Sequence, residues 1–258
     1  MLEALFERRV RPDLLVGTSV GAINAAFVAS RPSSVQTARE LQCIWRGLGR
    51  GHVFPANRLT ASLGFVGLRD HSVSAASLRR ILVRHLAIDR LEDAEVPLHV
   101  VAADLMSGDE VLLSSGPAPD AVLASAAVPG VFSQVRWGSR VLVDGAVVDN
   151  TRISRAVDLG ADRVVVLPAL GTARLRHAPK GAIGASVAAV SRALTHRLAE
   201  DLVRYRQRAE LVVLPAPDLP PIMPSDFGHA DELVSEGLRR GRAALGRTHA
   251  VVPLRRAA

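Results

Sequence analysis

Short apolar segments rich in valine and leucine alternate along the chain with longer segments whose apolar residues recur at helical spacing. Short apolar runs bounded by glycine or acidic residues are typical of buried strands, and a three-to-four-residue period is typical of packed helices. The alternation predicts a layered α/β/α fold with a central, mostly parallel sheet. The predicted helices cover residues 2–10, 20–30, 33–48, 77–86, 119–128, 153–159, 183–208 and 226–245. The predicted strands cover residues 13–16, 97–106, 110–114, 135–137, 140–143, 163–167 and 211–214.

Length and composition favour one packed domain over residues 1–258. Hydrophobic residues make up 48% of the chain and charged residues 22%, which excludes a disordered protein. No uncharged apolar run reaches the roughly 18 residues that a membrane-spanning helix needs. The single cysteine, Cys43, excludes an internal disulfide and suits a reducing compartment, so we expect a cytoplasmic protein.

The chain is strongly basic, with a formal net charge of +7. Of its 32 basic residues only Lys180 is lysine. One interpretation is a surface decorated generally with arginine; another is attraction to an anionic membrane surface, with the protein bound there peripherally. Aromatic residues make up only 3% of the chain and are not interleaved with arginine clusters, so nucleic acid is not an expected partner.

A candidate nucleophile lies between the first predicted strand and the following helix. Residues 17–21 read G-T-S-V-G and place Ser19 in the strand–turn–helix setting of a nucleophile elbow. Gly17 and Gly21 would let the strand and helix approach closely and let substrate reach the Ser19 hydroxyl. The N–H of Val20, at the start of the helix, could then bond an oxyanion.

Serine needs a base, and the chain offers two candidates. His229 comes late in the sequence, as the histidine of a Ser-His-Asp esterase would. However, only 18 residues precede Ser19, too few for the strands that the common triad fold places before its elbow. Asp144 ends an apolar strand and is followed by Gly145. The pattern is consistent with an active-site carboxylate, since such groups gather at strand ends in α/β proteins, and also with an ordinary turn.

Three segments together resemble the patatin-like phospholipase family. They are residues 17–26 (GTSVGAINAA), 124–132 (ASAAVPGVF) and 143–150 (VDGAVVDN), and the similarity runs from about Leu2 to Leu245. The resemblance implies an α/β/α fold, hydrolysis of lipid acyl esters, and no metal or other cofactor. It implies that Ser19 is the nucleophile and Asp144 the base of a dyad without histidine. Gly145 and Ala146 belong to the motif around Asp144.

The chain departs from the family pattern at two places. Arg152 stands where the family usually has a proline. The family also begins with a strand and a glycine-rich oxyanion loop, whereas here no glycine precedes Gly17. We therefore expect that the chain is N-terminally incomplete, with an apolar sheet edge beside residues 13–16 and weak or absent activity.

Two further alternatives stay open at this point. A member without its oxyanion loop could be a non-catalytic lipid-binding or regulatory protein. The irregular stretch at residues 47–71, which holds five glycines together with Phe54 and Phe65, could accommodate an acyl chain or simply connect helices.

Overall fold

Helices and strands alternate along the chain as the apolar pattern predicts. The computed structural model describes residues 1–55, 71–148, 153–169, 181–217, 222 and 226–247. Within these ranges the helices are α1 (Leu2–Glu7), α2 (Val20–Ala29), α3 (Val35–Gly47), α4 (Arg50–Val53), α5 (Ala76–His85), α6 (Ala118–Ser125), α7 (Ile153–Asp158), α8 (Gly181–Tyr205) and α9 (Ala230–Arg247). The strands are β1 (Leu15–Thr18), β2 (His71–Val73), β3 (Leu98–Asp104), β4 (Glu110–Leu113), β5 (Gly130–Phe132), β6 (Val135–Trp137), β7 (Arg140–Asp144), β8 (Arg163–Val166) and β9 (Glu210–Val213). Short 3₁₀ helices lie at Leu91–Asp93 and Gly145–Val147.

The central sheet has five strands and is organised around β3. β1 pairs with β3 in parallel, β4 and β7 pair with β3 antiparallel, and β6 pairs with β7 antiparallel. Two further parallel pairs, β2–β5 and β8–β9, form separate two-stranded sheets. Helices lie on both sides of the central sheet, which confirms the predicted three-layer α/β fold.

β1 and β7 occupy the same edge of β3, one after the other. β4 pairs with residues 100–103 of β3 and takes one edge over that length. β1 pairs with residues 98–101 and β7 with residues 102–104, so both must use the opposite edge. Because β1 runs with β3 and β7 runs against it, their C-terminal ends meet where Thr18 pairs with Val101 and Asp144 with Ala102.

The core around this junction is built from small and β-branched residues. Ala22 and Ala26 of α2 are fully buried, as are Val100 and Ala102 of β3 and Val122 of α6. Alanine on the buried face of α2 lets the helix lie close to the sheet, because no long side chain separates the two backbones. The alanines after Ser19 therefore allow the first helix after the junction to pack closely on the sheet.

The structure decides one alternative that the sequence leaves open and contains two strands that the pattern does not predict. The sequence left the cap of α3 open between Ser33 and Ser34; the Ser34 hydroxyl accepts the N–H of Thr37 and is the cap. The pattern did not predict β2 and β5, because each has only three residues and their pairing joins segments far apart in sequence.

The irregular stretch is only partly described. Phe54 is half-buried and packs against the core, with its ring centroid 5.4 Å from that of Phe132 and 6.3 Å from that of Phe227. Phe65 lies outside the described residues.

Among the helices that the structure describes, none is long and apolar enough to cross a membrane.

Candidate active site

Ser19 lies on a sharp turn between β1 and α2. Its backbone angles are φ 54° and ψ −127°, a conformation that residues other than glycine rarely adopt. Such a conformation costs on the order of 1–3 kcal/mol and persists only where the surrounding structure enforces it. The turn therefore has the backbone that the G-x-S-x-G pattern predicts for an elbow.

The two glycines of this motif have different surroundings. A Cβ at Gly17 would lie 2.6 Å from the Cα of Ala22 and 2.7 Å from the carbonyl oxygen of Gly21, so glycine is needed for α2 to pack on β1. A Cβ at Gly21 would meet no atom of the described residues within 4 Å. Close approach of strand and helix thus accounts for Gly17, whereas packing among the described residues does not require glycine at Gly21.

Asp144 ends β7 and is almost completely buried, with 2% of its surface exposed. The Ser19 hydroxyl donates a hydrogen bond to its Oδ2 at 2.6 Å, and the N–H of Ala146 donates to its Oδ1 at 2.8 Å. The N–H of Asp144 donates to the carbonyl oxygen of Ala127 at 3.0 Å. The structure therefore brings together the two residues that the sequence singled out, and holds the carboxylate at both oxygens and at its backbone.

Burial raises the pKa of Asp144 above its ordinary value, because a charged carboxylate is poorly solvated there. Hydrogen bonds from the Ser19 hydroxyl and the Ala146 N–H oppose this effect. The net result is a carboxylate more basic than a free aspartate, and a proton acceptor at neutral pH needs that property.

Gly145 is required by the close packing behind Asp144. A Cβ there would overlap the carbonyl oxygen of Val101 and lie 3.0 Å from the Cγ2 of Thr18. The chain can therefore turn from β7 into the following 3₁₀ helix only if residue 145 lacks a side chain. That turn places the N–H of Ala146 on the Asp144 carboxylate, which gives both motif residues a physical role.

Ser125 is a site residue to which sequence reasoning assigned no role. Its side chain is fully buried at the end of α6; its hydroxyl donates to the carbonyl oxygen of Val101 at 2.5 Å and accepts the N–H of Ser19 at 2.9 Å. The signal in the sequence is weak, since a serine among alanines near a helix end is unremarkable. Only the fold shows that it contacts the elbow.

Val20 is the first residue of α2 and follows the nucleophile candidate directly. Within the described residues its N–H has no hydrogen-bond partner, whereas the N–H of Ser19 bonds to Ser125. The free N–H lies at the positive end of the α2 dipole, a suitable donor for a developing negative charge.

His229 does not join this arrangement. Its Nδ1 lies 3.1 Å from the Glu232 carboxylate and its Nε2 lies 3.5 Å from that of Asp226, and the side chain is 46% exposed. Its contacts within the described part of the chain do not include Ser19 or Asp144.

Two other expectations concern Arg152 and metal ions. Arg152 lies outside the described residues. Among those that are described, no group of three or more His, Cys, Asp or Glu is placed to bind a metal ion.

Comparison with known proteins agrees with the resemblance. The family model of patatin-like phospholipases matches residues 1–157. An uncharacterized NTE family protein of Mycobacterium tuberculosis, Rv1063c, is 31% identical over 114 residues, covering 41% of this chain and 31% of the relative. A second from the same organism, Rv2565, is 30% identical over 151 residues, covering 57% of this chain and 24% of the relative. The chain thus spans a third or less of the length of these relatives. Because the family model matches more than half of its residues, the chain belongs to the patatin-like phospholipase family.

Proposed function

We propose that this chain is a serine hydrolase of lipid acyl esters that uses Ser19 as nucleophile and Asp144 as general base. Family membership supports lipid hydrolysis as the class of activity. The observation that supports the assignment to residues is the 2.6 Å hydrogen bond from the Ser19 hydroxyl to the buried carboxylate of Asp144, because a proton can pass between the two groups at that distance.

In the first half of the reaction the Ser19 Oγ attacks the ester carbonyl carbon while its proton moves to the Oδ2 of Asp144. The carbonyl oxygen gains the negative charge of a tetrahedral intermediate. When the intermediate collapses, the carbon–oxygen bond to the alcohol breaks and protonated Asp144 returns the proton to the leaving oxygen. The products are a free alcohol, such as a lysolipid, and an acyl ester on Ser19.

In the second half Asp144 takes a proton from a water molecule, which attacks the acyl carbon. Collapse of the second tetrahedral intermediate releases the fatty acid and returns the proton to Ser19. The raised pKa of Asp144 favours the step in each half in which the carboxylate accepts a proton, first from Ser19 and then from water.

The Val20 N–H is the donor we assign to the oxyanion. It is free within the described residues, and the dipole of α2 adds to its effect. One oxyanion donor contributes roughly 10²–10³ to the rate in well-studied hydrolases. The Ser19 N–H is occupied by Ser125 and is not assigned this role.

Exposed apolar side chains close to the dyad in sequence support an acyl substrate. Val20 follows Ser19 and is 37% exposed, and Val147 lies three residues after Asp144 and is 58% exposed. Apolar surface next to reactive groups favours a substrate with a hydrocarbon portion.

Peripheral contact with an anionic lipid surface is part of the same proposal. Its support is the net charge of +7, carried almost entirely by arginine. If the contact is electrostatic, binding to vesicles containing an anionic lipid should weaken as salt is raised, and vesicles of zwitterionic lipid should bind less. Equal binding to both kinds of vesicle would remove this part of the proposal.

An alkyl fluorophosphonate probe tests the proposed function directly, because it reacts with activated serines only. We expect labelling at Ser19, located by mass spectrometry of the labelled peptide, and none in folded Ser19→Ala. A folded wild-type chain that is not labelled would point instead to a non-catalytic lipid-binding role.

A further inference from the structure

Ser125 joins three elements of the site through one buried hydroxyl. It is the last residue of α6, accepts the N–H of Ser19 on the elbow, and donates to the carbonyl oxygen of Val101 in β3. Val101 is the β3 residue that pairs with Thr18, the residue before the nucleophile. The hydroxyl therefore connects the elbow to the strand on which it is built.

The direction of these hydrogen bonds is fixed by chemistry. An amide N–H can only donate and a carbonyl oxygen can only accept, so the single proton of the Ser125 hydroxyl must point at Val101. Its lone pair then faces the Ser19 N–H at 2.9 Å. Because the Ser125 side chain is fully buried, removing its hydroxyl would leave the Ser19 N–H without its protein partner.

This hydrogen bond acts on the most strained residue of the site. Ser19 has φ 54° and ψ −127°, and the direction of its N–H is coupled to that backbone conformation. An acceptor fixed by β3 and α6 favours the conformation in which the Ser19 side chain points at Asp144. Without it, the turn can relax toward ordinary angles and move the hydroxyl away from the carboxylate.

We infer that Ser125 is a positioning residue for the nucleophile: its hydroxyl holds the backbone of Ser19 in the strained conformation from which the Ser19 hydroxyl reaches Asp144. This inference rests on the proposed function, since it gives Ser125 a role in the same reaction. It also explains why Val20, rather than Ser19, has the free N–H.

The chain offers a matched control for a buried serine hydroxyl at a helix end. Ser30 follows α2, is buried, and donates to the carbonyl oxygen of Phe27 at 3.0 Å. It lies at the opposite end of the helix that follows Ser19, roughly 15 Å along the axis. The Ser30 hydroxyl also accepts from the Arg31 guanidinium at 2.9 Å and from the N–H of Ala87 at 3.5 Å. Ser30→Ala therefore removes a buried serine hydroxyl that, like that of Ser125, both donates and accepts, without touching the elbow.

The experiment compares wild type, Ser125→Ala, Ser125→Thr and Ser30→Ala in hydrolysis of a p-nitrophenyl acyl ester, per folded molecule, together with hydrogen exchange at the Ser19 amide by NMR. We expect Ser125→Ala to lower kcat by about 10- to 100-fold with KM within about threefold, as for a displaced reacting group. Ser19 amide exchange should become faster in Ser125→Ala. Ser125→Thr, which keeps the hydroxyl, should recover most of kcat, and Ser30→Ala should leave kcat within about twofold, as expected away from the site.

The inference is overturned if Ser125→Ala keeps wild-type kcat per folded molecule, if its loss lies in KM alone, or if Ser30→Ala loses as much activity. If Ser125→Thr does not fold, the inference is judged on kcat and on Ser19 amide exchange in Ser125→Ala. If only this inference is wrong, the wild-type chain still hydrolyses the ester and Ser19→Ala still abolishes that activity. A wild-type chain that hydrolyses no ester, or whose activity survives in Ser19→Ala, overturns the proposed function and this inference with it.

Discussion

The hydroxyl of Ser19 and the carboxylate of Asp144 lie 2.6 Å apart although 125 residues separate them in the chain. They meet because β1 and β7 approach each other end to end along one edge of β3. Ser19 follows the last residue of β1, the strand parallel to β3, and Asp144 is the last residue of β7, the antiparallel strand. The junction of two strands, rather than a single loop, brings the two side chains of the proposed dyad together.

Replacing Gly17 by alanine should destabilise the protein. The added methyl group would lie 2.6 Å from the backbone of Ala22, which cannot move without displacing α2 from β1. Overpacking of this kind costs about 1–3 kcal/mol in free energy of unfolding. Urea unfolding measures it, and Gly21→Ala is the control, because a Cβ there meets no described atom within 4 Å and alanine favours the helix. Equal stabilities of the two variants would contradict the packing role of Gly17.

Hydrolysis should rise with pH across a single ionisation that belongs to Asp144. The base must be deprotonated to act, and burial raises its pKa, so the acid limb of the kcat/KM profile should lie above the ordinary aspartate value of about 3.9. A pH–rate profile from about pH 3, below the ordinary value, to about pH 9 provides the measurement, over the range in which the protein stays folded. An acid limb at or below the ordinary value would mean that the carboxylate is solvated during turnover.

Asp144→Asn should be at least as stable as wild type at neutral pH, while being far less active. A carboxyl whose pKa is higher in the folded than in the unfolded state binds more protons when folded, so wild-type stability falls as pH rises from the unfolded through the folded pKa. Asparagine has no such ionisation and can still accept the Ala146 N–H. Urea unfolding at pH 4 to 8 should show the stability difference shifting in favour of Asp144→Asn as pH increases. The opposite trend would mean that the charged form is stabilised on folding.

His229→Ala should keep activity within about twofold of wild type, as expected for an exposed residue away from a site. The imidazole contacts Asp226 and Glu232 of its own segment, and its described contacts do not reach Ser19. Steady-state hydrolysis of a p-nitrophenyl acyl ester by His229→Ala and wild type distinguishes the two candidate bases, His229 and Asp144. A loss of tenfold or more in a folded His229→Ala protein would favour the Ser-His-Asp alternative.

The parts of the site that sequence could predict are those with local signals. The glycine pattern around Ser19, the apolar strand before it and the Ala-rich helix after it all follow from neighbouring residues. Asp144 was a candidate because it ends an apolar strand, and the resemblance to a family made it the preferred base. Its contact with Ser19 depends on the pairing register of two strands with β3, which local patterns do not encode.

Ser125 shows why the remainder was missed. Its two hydrogen bonds reach residues 24 and 106 positions away, and its own neighbours are alanines that indicate only a buried helix end. The strands β2 and β5 were missed for a similar reason, since three residues are too few for a recognisable alternation. Long-range hydrogen bonds and short paired segments emerge from the assembled fold.

The most direct test of the dyad is turnover of a p-nitrophenyl acyl ester by wild type, Ser19→Ala and Asp144→Asn, each shown to be folded by circular dichroism. Ser19→Ala should be reduced to the uncatalysed background, because the nucleophile is gone. Asp144→Asn keeps the shape of the side chain but cannot accept the proton, so its kcat should fall by about 10²–10⁴-fold. Turnover by Asp144→Asn within a few-fold of wild type, or retained turnover by folded Ser19→Ala, would contradict the account.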